Sequence, residues 1–315
     1  MKKTTILLAS MAIALVSCNR SETIVTETLG EISFKAVNSV ATKADIISGT
    51  TLPTNEWLIY VSANGATGTY FQNKTFKTAD STPTTSSQYK NYSGAEFVPI
   101  YWPVGGSKLD FLAYSAKFLT NFTQSWGTTN AADDLTVGTW DTYADQQDVV
   151  WAVANSESRA TTTALHFNHA QAQLIFKVKC EASADIYKVN SITIKDLSTT
   201  GDFVVDNTKV KPEASWTLTA GADQLVKNIA ALTAVTTSMT QIGDALLIPQ
   251  QDVCEFTINY KSGDVDGFTY TVNPARKVWE MGKTYIYEIT FTAQEIVFTE
   301  TVKAWDVQTA ESVSL

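Results

Sequence analysis

The chain is poor in the residues that build metal sites: 315 residues hold three cysteines and two histidines. No cysteine or carboxylate completes a recognised zinc spacing around His166 and His169. On a strand these two, three positions apart, point to opposite faces, so one ion could not take both. Basic residues are also few, with 23 Lys and Arg against 32 Asp and Glu, a net charge of −9 and a pI near 4.8. That balance excludes a nucleic-acid partner, since phosphate recognition needs clustered cations. After the first residues no apolar run reaches the roughly 18 residues that a spanning helix needs. No G-x-S-x-G elbow, phosphate-binding Gly-rich loop or H-E-x-x-H helix occurs, so neither an enzyme nor a cofactor is expected.

What is present begins at the amino end. Lys2 and Lys3 precede an apolar run over 6–16 that stops at Leu15, Val16, Ser17 and Cys18, the order a lipoprotein signal peptidase reads. Residues 1–17 are therefore read as an export signal, with Cys18 as the lipidated mature terminus. Each buried acyl CH₂ contributes about 0.8 kcal/mol, so several chains anchor firmly where one would not. The expected location is the outer membrane, exposed at the cell surface.

The body reads as all-β. Short runs rich in Val, Ile, Thr and aromatics alternate in polarity at 57–62, 109–114, 165–179, 191–196, 254–260, 268–272, 285–292 and 295–305, bounded by Gly, Asn, Asp or Pro. The stretch 261–267, carrying Asp264 and Asp266, predicts a hairpin turn. Leu225, Ile229 and Leu232 follow helical spacing and predict one helix over 223–235. Ser- and Thr-rich 78–87 and the Asp- and Gly-bearing 124–148 predict exposed loops, the latter holding Asp133, Asp134, Asp141, Asp145 and Asp148 as solvated turn formers. Trp126 and Trp140 in that loop are candidates for a sugar-binding platform. The linker at 156–163 divides the chain into an amino-terminal domain, 44–163, and a carboxy-terminal one, 164–315. Cys180 and Cys254 fall on apolar parity in the second domain. Both a disulfide and two buried thiols fit that placement.

One element stands apart. In residues 31–40, Ile32, Phe34 and Ala36 share one parity while Ser33, Lys35 and Val37 take the other, a pattern that predicts a strand. A polar stretch containing Lys43 and Ala44 separates it from the strand at Trp57. A trypsin-like protease cutting between those two residues would detach the segment 18–43, and the sheet would lose one strand.

Together these features resemble the fimbrillin family, the FimA/Mfa-like subunits of the type V pili of Bacteroidetes. The resemblance is carried by Tyr101-Trp102-Pro103 with the strand Leu109 to Tyr114 behind it, by Asp148-Val149-Val150-Trp151-Ala152, and by Phe167-Asn168-His169. Leu247-Ile248-Pro249-Gln250, Gly282-Lys283-Thr284-Tyr285 and Trp305-Asp306 complete it. It implies two β-sandwich domains of transthyretin-like topology, no catalysis, and a first strand that a trypsin-like protease removes. It also implies partners in the form of other pilin subunits, one of which donates a strand to the vacated groove. This chain has Lys43 where many relatives carry Arg. Val307, Thr309, Val313 and Leu315 share one parity and form the candidate donor tail, which Glu311 interrupts. A surface glycan or protein is the expected adhesion target. The competing expectation is a monomeric surface lipoprotein that binds glycans and keeps its first strand.

Overall fold

A computed structural model of the chain describes residues 30–38, 57–116, 124–126, 135–159, 162–181, 186–206, 213–230, 232–305 and 310–313. Apart from one helical turn, α1 (Thr142–Asp145), its regular elements are strands. The amino-terminal half supplies β1 (Ser33–Asn38), β2 (Leu58–Gly65), β3 (Gly68–Lys77), β4 (Tyr89–Ser93), β5 (Glu96–Phe97), β6 (Leu109–Ala116), β7 (Gln124–Trp126), β8 (Leu135–Asp141), β9 (Val150–Glu157) and β10 (Thr163–His169). The remainder supplies β11 (Ala172–Cys180), β12 (Tyr187–Leu197), β13 (Thr200–Asp206), β14 (Glu213–Leu218), β15 (Ala222–Leu225), β16 (Thr233–Ala234), β17 (Thr240–Gln241) and β18 (Leu246–Ile248). It ends with β19 (Gln251–Asp252), β20 (Phe256–Ser262), β21 (Val265–Val272), β22 (Val278–Trp279), β23 (Lys283–Phe291), β24 (Ile296–Ala304) and β25 (Ala310–Val313).

In the first sheet the order β1-β10-β9-β6-β2-β3-β4-β5 is closed on itself, because β4 pairs with β1 as well as with β3. The inward positions of this ring form one core, with Trp57, Phe76, Trp102, Phe111 and Leu165 among its members. A second core lies between the sheet containing β11, β23 and β24 and the sheet of β15, β12, β20 and β21, and is filled by Phe176, Ile192, Phe256 and Tyr287 among others. A third, small cluster of Leu112, Tyr114, Val149, Ala170, Phe203 and Val205 is separate from both and brings β6 of the first sheet together with β13 of the four-stranded sheet β14-β13-β8-β7.

Several sequence expectations change in three dimensions. The run 165–179 is two strands: Leu165 and Phe167 pack in the first core, Leu174 and Phe176 in the second. The chain turns between them at Gln171, whose buried side-chain amide caps Val149 N–H at 3.0 Å and donates to Gln147 O at 2.9 Å. The helix expected at 223–235 is instead β15, a turn and β16. Its helical-period residues Leu225 and Leu232 are 59% and 45% exposed, whereas Val226 and Val235 are buried, and positive φ at Asn228 and Leu232 breaks any helix. The loop expected over 124–148 contains β7, β8 and α1, with β8 paired to β13. The Thr- and Val-containing sequence LTVGTWD suits a pleated surface better than its Gly and Asp suggest. Trp126 and Trp140 therefore lie on strands. Asp133 and Asp134 lie outside the described residues. Cys180 is buried and Cys254 half-buried, and in this structure they are separate thiols rather than a disulfide. Burial, then the carboxylates of Asp196 and Asp252, pushes the Cys254 thiol up to about 11. The expected hairpin is β20–β21, with Gly263 in the left-handed region at the turn.

Candidate functional site: the seat of the first strand

Alternation places Gly30, Ile32, Phe34 and Ala36 on the inward side of the first segment. Ile32 and Phe34 are 0% exposed and Ala36 is 1%. The Phe34 ring meets Phe76 edge-on at 4.8 Å and Phe111 at 5.0 Å, so one side chain from β1 locks into rings from β3 and β6. Burying an isoleucine and a phenylalanine at about 1.5–3 kcal/mol each gives a gross gain on the order of 5 kcal/mol.

The backbone of the segment is paired on both sides, unequally. On one side β1 runs parallel to β10, from Phe34 opposite Thr163 to Asn38 opposite Phe167. On the other it meets β4 antiparallel at only Ser33–Lys90 and Phe34–Tyr89. Just before β1, Ile32 N–H donates to Ile100 O at 2.7 Å and Trp102 N–H donates to Gly30 O at 3.0 Å. Lys90 pairs with Glu31 at 2.9 Å, but both are partly exposed, so the pair adds little. β1 thus closes the ring between β10 and β4, by backbone pairing on both sides and by side-chain insertion. Without it, Phe76, Phe111, Tyr89, Leu165 and Trp102 would line an open groove.

The walls of this seat carry an anomaly that alternation alone does not disclose. Tyr89 Oη, Asn91 Oδ1, Trp102 Nε1 and Thr163 Oγ1 are buried without a hydrogen-bond partner. Tyr89 and Thr163 flank Phe34 in register, Asn91 lies one step along β4 beside the Ile32 position, and Trp102 neighbours Gly30. Each orphaned group costs on the order of 1–3 kcal/mol. The Tyr89 phenol is correspondingly held well above its ordinary range, by burial first and by Asp80 second. The 88–93 stretch has the alternation of a strand, which is the signal that would have placed Tyr89 and Asn91 inward.

The other sequence-derived candidates do not gather at this seat. Cys18, Lys43, Ala44, Val307, Thr309 and Leu315 lie outside the described residues. Val313 lies in β25, which pairs with β24 from Glu300–Val313 to Lys303–Ala310. His166 is exposed and His169 buried, on opposite faces of β10 as alternation requires. His169 Nδ1 sits 2.9 Å from Asp148 Oδ1, and its ring stacks on Trp305 with centroids 4.0 Å apart. Asp148 is therefore a fully buried partner of His169, not a solvated turn residue. Asp141 caps α1 by accepting from Tyr143 and Ala144 N–H. Among the described residues no cluster of three potential metal ligands occurs, and no helix is long and apolar enough to cross a membrane.

The family whose model matches this chain is described as fimbrillin-like, over residues 22–305. No curated protein matches. Among solved structures, a candidate cell adhesion protein of Bacteroides uniformis superposes with a TM-score of 0.58 at 16% identity, covering 88% of this chain and 98% of that one. One from Bacteroides ovatus gives 0.56 at 15% identity over 89% and 99%. A fimbrial protein of Bacteroides vulgatus gives 0.53 at 16% over 87% and 99%. At these identities the likeness is one of fold. The family match extends from before β1 to the end of β24, and the chain belongs to the fimbrillin-like family.

Proposed function

We propose that the protein is a surface-anchored fimbrial subunit whose first strand holds a place for a strand of another copy. As a member of the fimbrillin-like family it is a structural protein and not an enzyme. The observation that carries the reading is the closure of the first sheet by β1, a strand inserted through Ile32, Phe34 and Ala36 and paired with β10 on one side and β4 on the other. In this account Cys18 carries the lipid that tethers the exported precursor to the outer membrane. A trypsin-like protease cuts between Lys43 and Ala44, and the segment 18–43 leaves. A sister subunit then adds a strand to the edges of β10 and β4, with main-chain bonds setting register and alternate side chains filling the vacated pockets. The tail bearing Val307, Thr309, Val313 and Leu315 is the donor. The two units, the first reaching through β10 rather than ending at 163 and the second beginning with β11 rather than at 164, stack along the fibre, and adhesion to a surface glycan or protein is the outcome.

Limited trypsin digestion of the purified precursor tests this. The expected result is cleavage after Lys43 followed by SDS-resistant multimers. A protein resistant at Lys43, or one trimmed there that stays monomeric, would favour a glycan-binding lipoprotein that never polymerises.

A further inference from the structure

We infer that the end of the first ring nearest the lipid tether is a membrane-docking face, with Val104 at its tip entering the headgroup layer of the bilayer to which Cys18 is anchored. The inference rests on the anchor reading above and adds to it the orientation of the precursor on the lipid. One end of the ring collects the starts of β1, β3, β6 and β10. Gly65, the last residue of β2, pairs with Gly68 of β3 and Leu109 of β6, Leu109 pairs with Glu157 of β9, and Thr163 of β10 lies opposite Phe34. Gly30 joins this end through its carbonyl, which accepts from Trp102 N–H, and Glu31 bridges Tyr101. Beyond Trp102 the chain runs through Pro103, Val104, Gly105 and Gly106 before it returns into β6. Gly105 and Gly106 both take positive φ, and a Cβ built on either meets nothing within 4 Å, so this turn stands out from the wall.

The chemistry of the turn suits a lipid surface. Val104 is 73% exposed, the most of any large apolar side chain among the described residues. Tyr101, three residues before it, and Tyr70, whose Oη donates to Tyr101 O at 2.7 Å, add two exposed rings. An aliphatic tip with two phenols behind it matches a membrane interface, where tyrosine sets its ring among the headgroups and its hydroxyl toward water. The exposed residues of the turns at 66–67 and 104–108 hold no carboxylate, and their one charge is the cation of Lys108, on a chain of net charge −9. That is the sign anionic headgroups attract. The tether brings the face to its partner: Gly30 lies twelve residues after Cys18, a reach of about 40 Å at full extension. Such a tether keeps the ring near the bilayer without choosing which side meets it, and the apolar tip makes the choice. β1 then runs away from the lipid, so that Asn38, five residues before Lys43, lies on the side open to a soluble protease.

The test reconstitutes the full-length lipidated precursor into vesicles of phosphatidylethanolamine and phosphatidylglycerol. A nitroxide is placed on Ser107→Cys in the turn, or on Thr85→Cys in the exposed connection between β3 and β4 at the other end of the ring. Oxygen and a water-soluble nickel chelate report lipid and aqueous exposure of each label, and the parent's own thiols, labelled alike, give the background. The expected result is a Ser107 label shielded from the chelate and a Thr85 label open to it. Val104→Asp, at a largely exposed position, should lower the docked-to-undocked ratio on the order of tenfold and return the Ser107 label to water. A Ser107 label as open to the chelate as the Thr85 label would overturn the inference, and so would a Val104→Asp protein that docks as the parent does. If the protein is lipidated and multimerises after cleavage while its Ser107 label stays in water, only the docking face fails. If mass spectrometry finds no acyl chain on Cys18, the anchor fails and this face with it.

Discussion

Replacing Phe34 by alanine removes a ring that is wholly buried and wedged edge-on against Phe76 and Phe111. Such truncations in well-packed cores cost about 3–5 kcal/mol, from lost transfer energy and from the cavity left behind. Against a total stability of about 5–15 kcal/mol for a folded domain, that is a large fraction. Chemical denaturation of the uncleaved Phe34→Ala precursor should therefore show a much lower midpoint with an unchanged slope. Lys35→Ala, on the outward side of the same strand, should stay within about 0.5 kcal/mol of the parent. The contrast has a second half. After cleavage and release of the segment 18–43 the parent and the Phe34 variant are the same molecule, so their stabilities must converge, while the variant should release its strand at least about a hundredfold more readily. A Phe34→Ala precursor as stable as the parent would refute the insertion of β1 into the core.

Other outcomes follow from single contacts. Burial raises the Glu300 carboxyl above its ordinary range and the Arg276 guanidinium, 3.2 Å away, only partly offsets this. The folded state therefore holds a proton that the unfolded chain has lost, and stability contributed by this group falls as pH rises from about 4.5 through the raised value. Melting curves across that window should show Glu300→Gln lacking this component. With its thiol pushed to about 11 against an ordinary 9.0, Cys254 should alkylate about a hundredfold more slowly at pH 8 than an unperturbed thiol, read by mass spectrometry. Asp148→Ala strips the buried partner from His169 and should cost about 1–3 kcal/mol in denaturation midpoints.

The elements legible in the sequence were those whose burial is one-sided. β1, the β20–β21 hairpin and the opposed faces of His166 and His169 all obey period-two alternation, which local sequence encodes directly. What was not legible depends on long-range pairing. β8 looked like a loop because its partner β13 begins almost sixty residues later, and Leu225 and Leu232 suggested a helix because spacing says nothing about which residues meet a core. The His169–Asp148–Trp305 stack joins three separated segments, and no spacing rule connects them. The strand character of residues 31–40 was visible, but its place as the closure of a ring was not. Nor were the orphaned polar atoms of Tyr89, Asn91, Trp102 and Thr163, since satisfaction is a property of the assembled wall.

The central claim is that the seat of β1 is vacated and refilled by a sister molecule. Its most direct measurement is to follow, during limited digestion after Lys43, the release of the 18–43 fragment by mass spectrometry alongside multimer formation by size-exclusion chromatography. The account predicts one fragment released for each subunit that accepts a strand, with both processes on the same time course. A fragment that departs while the remaining protein stays monomeric, or multimers that form with the fragment still in place, would contradict it.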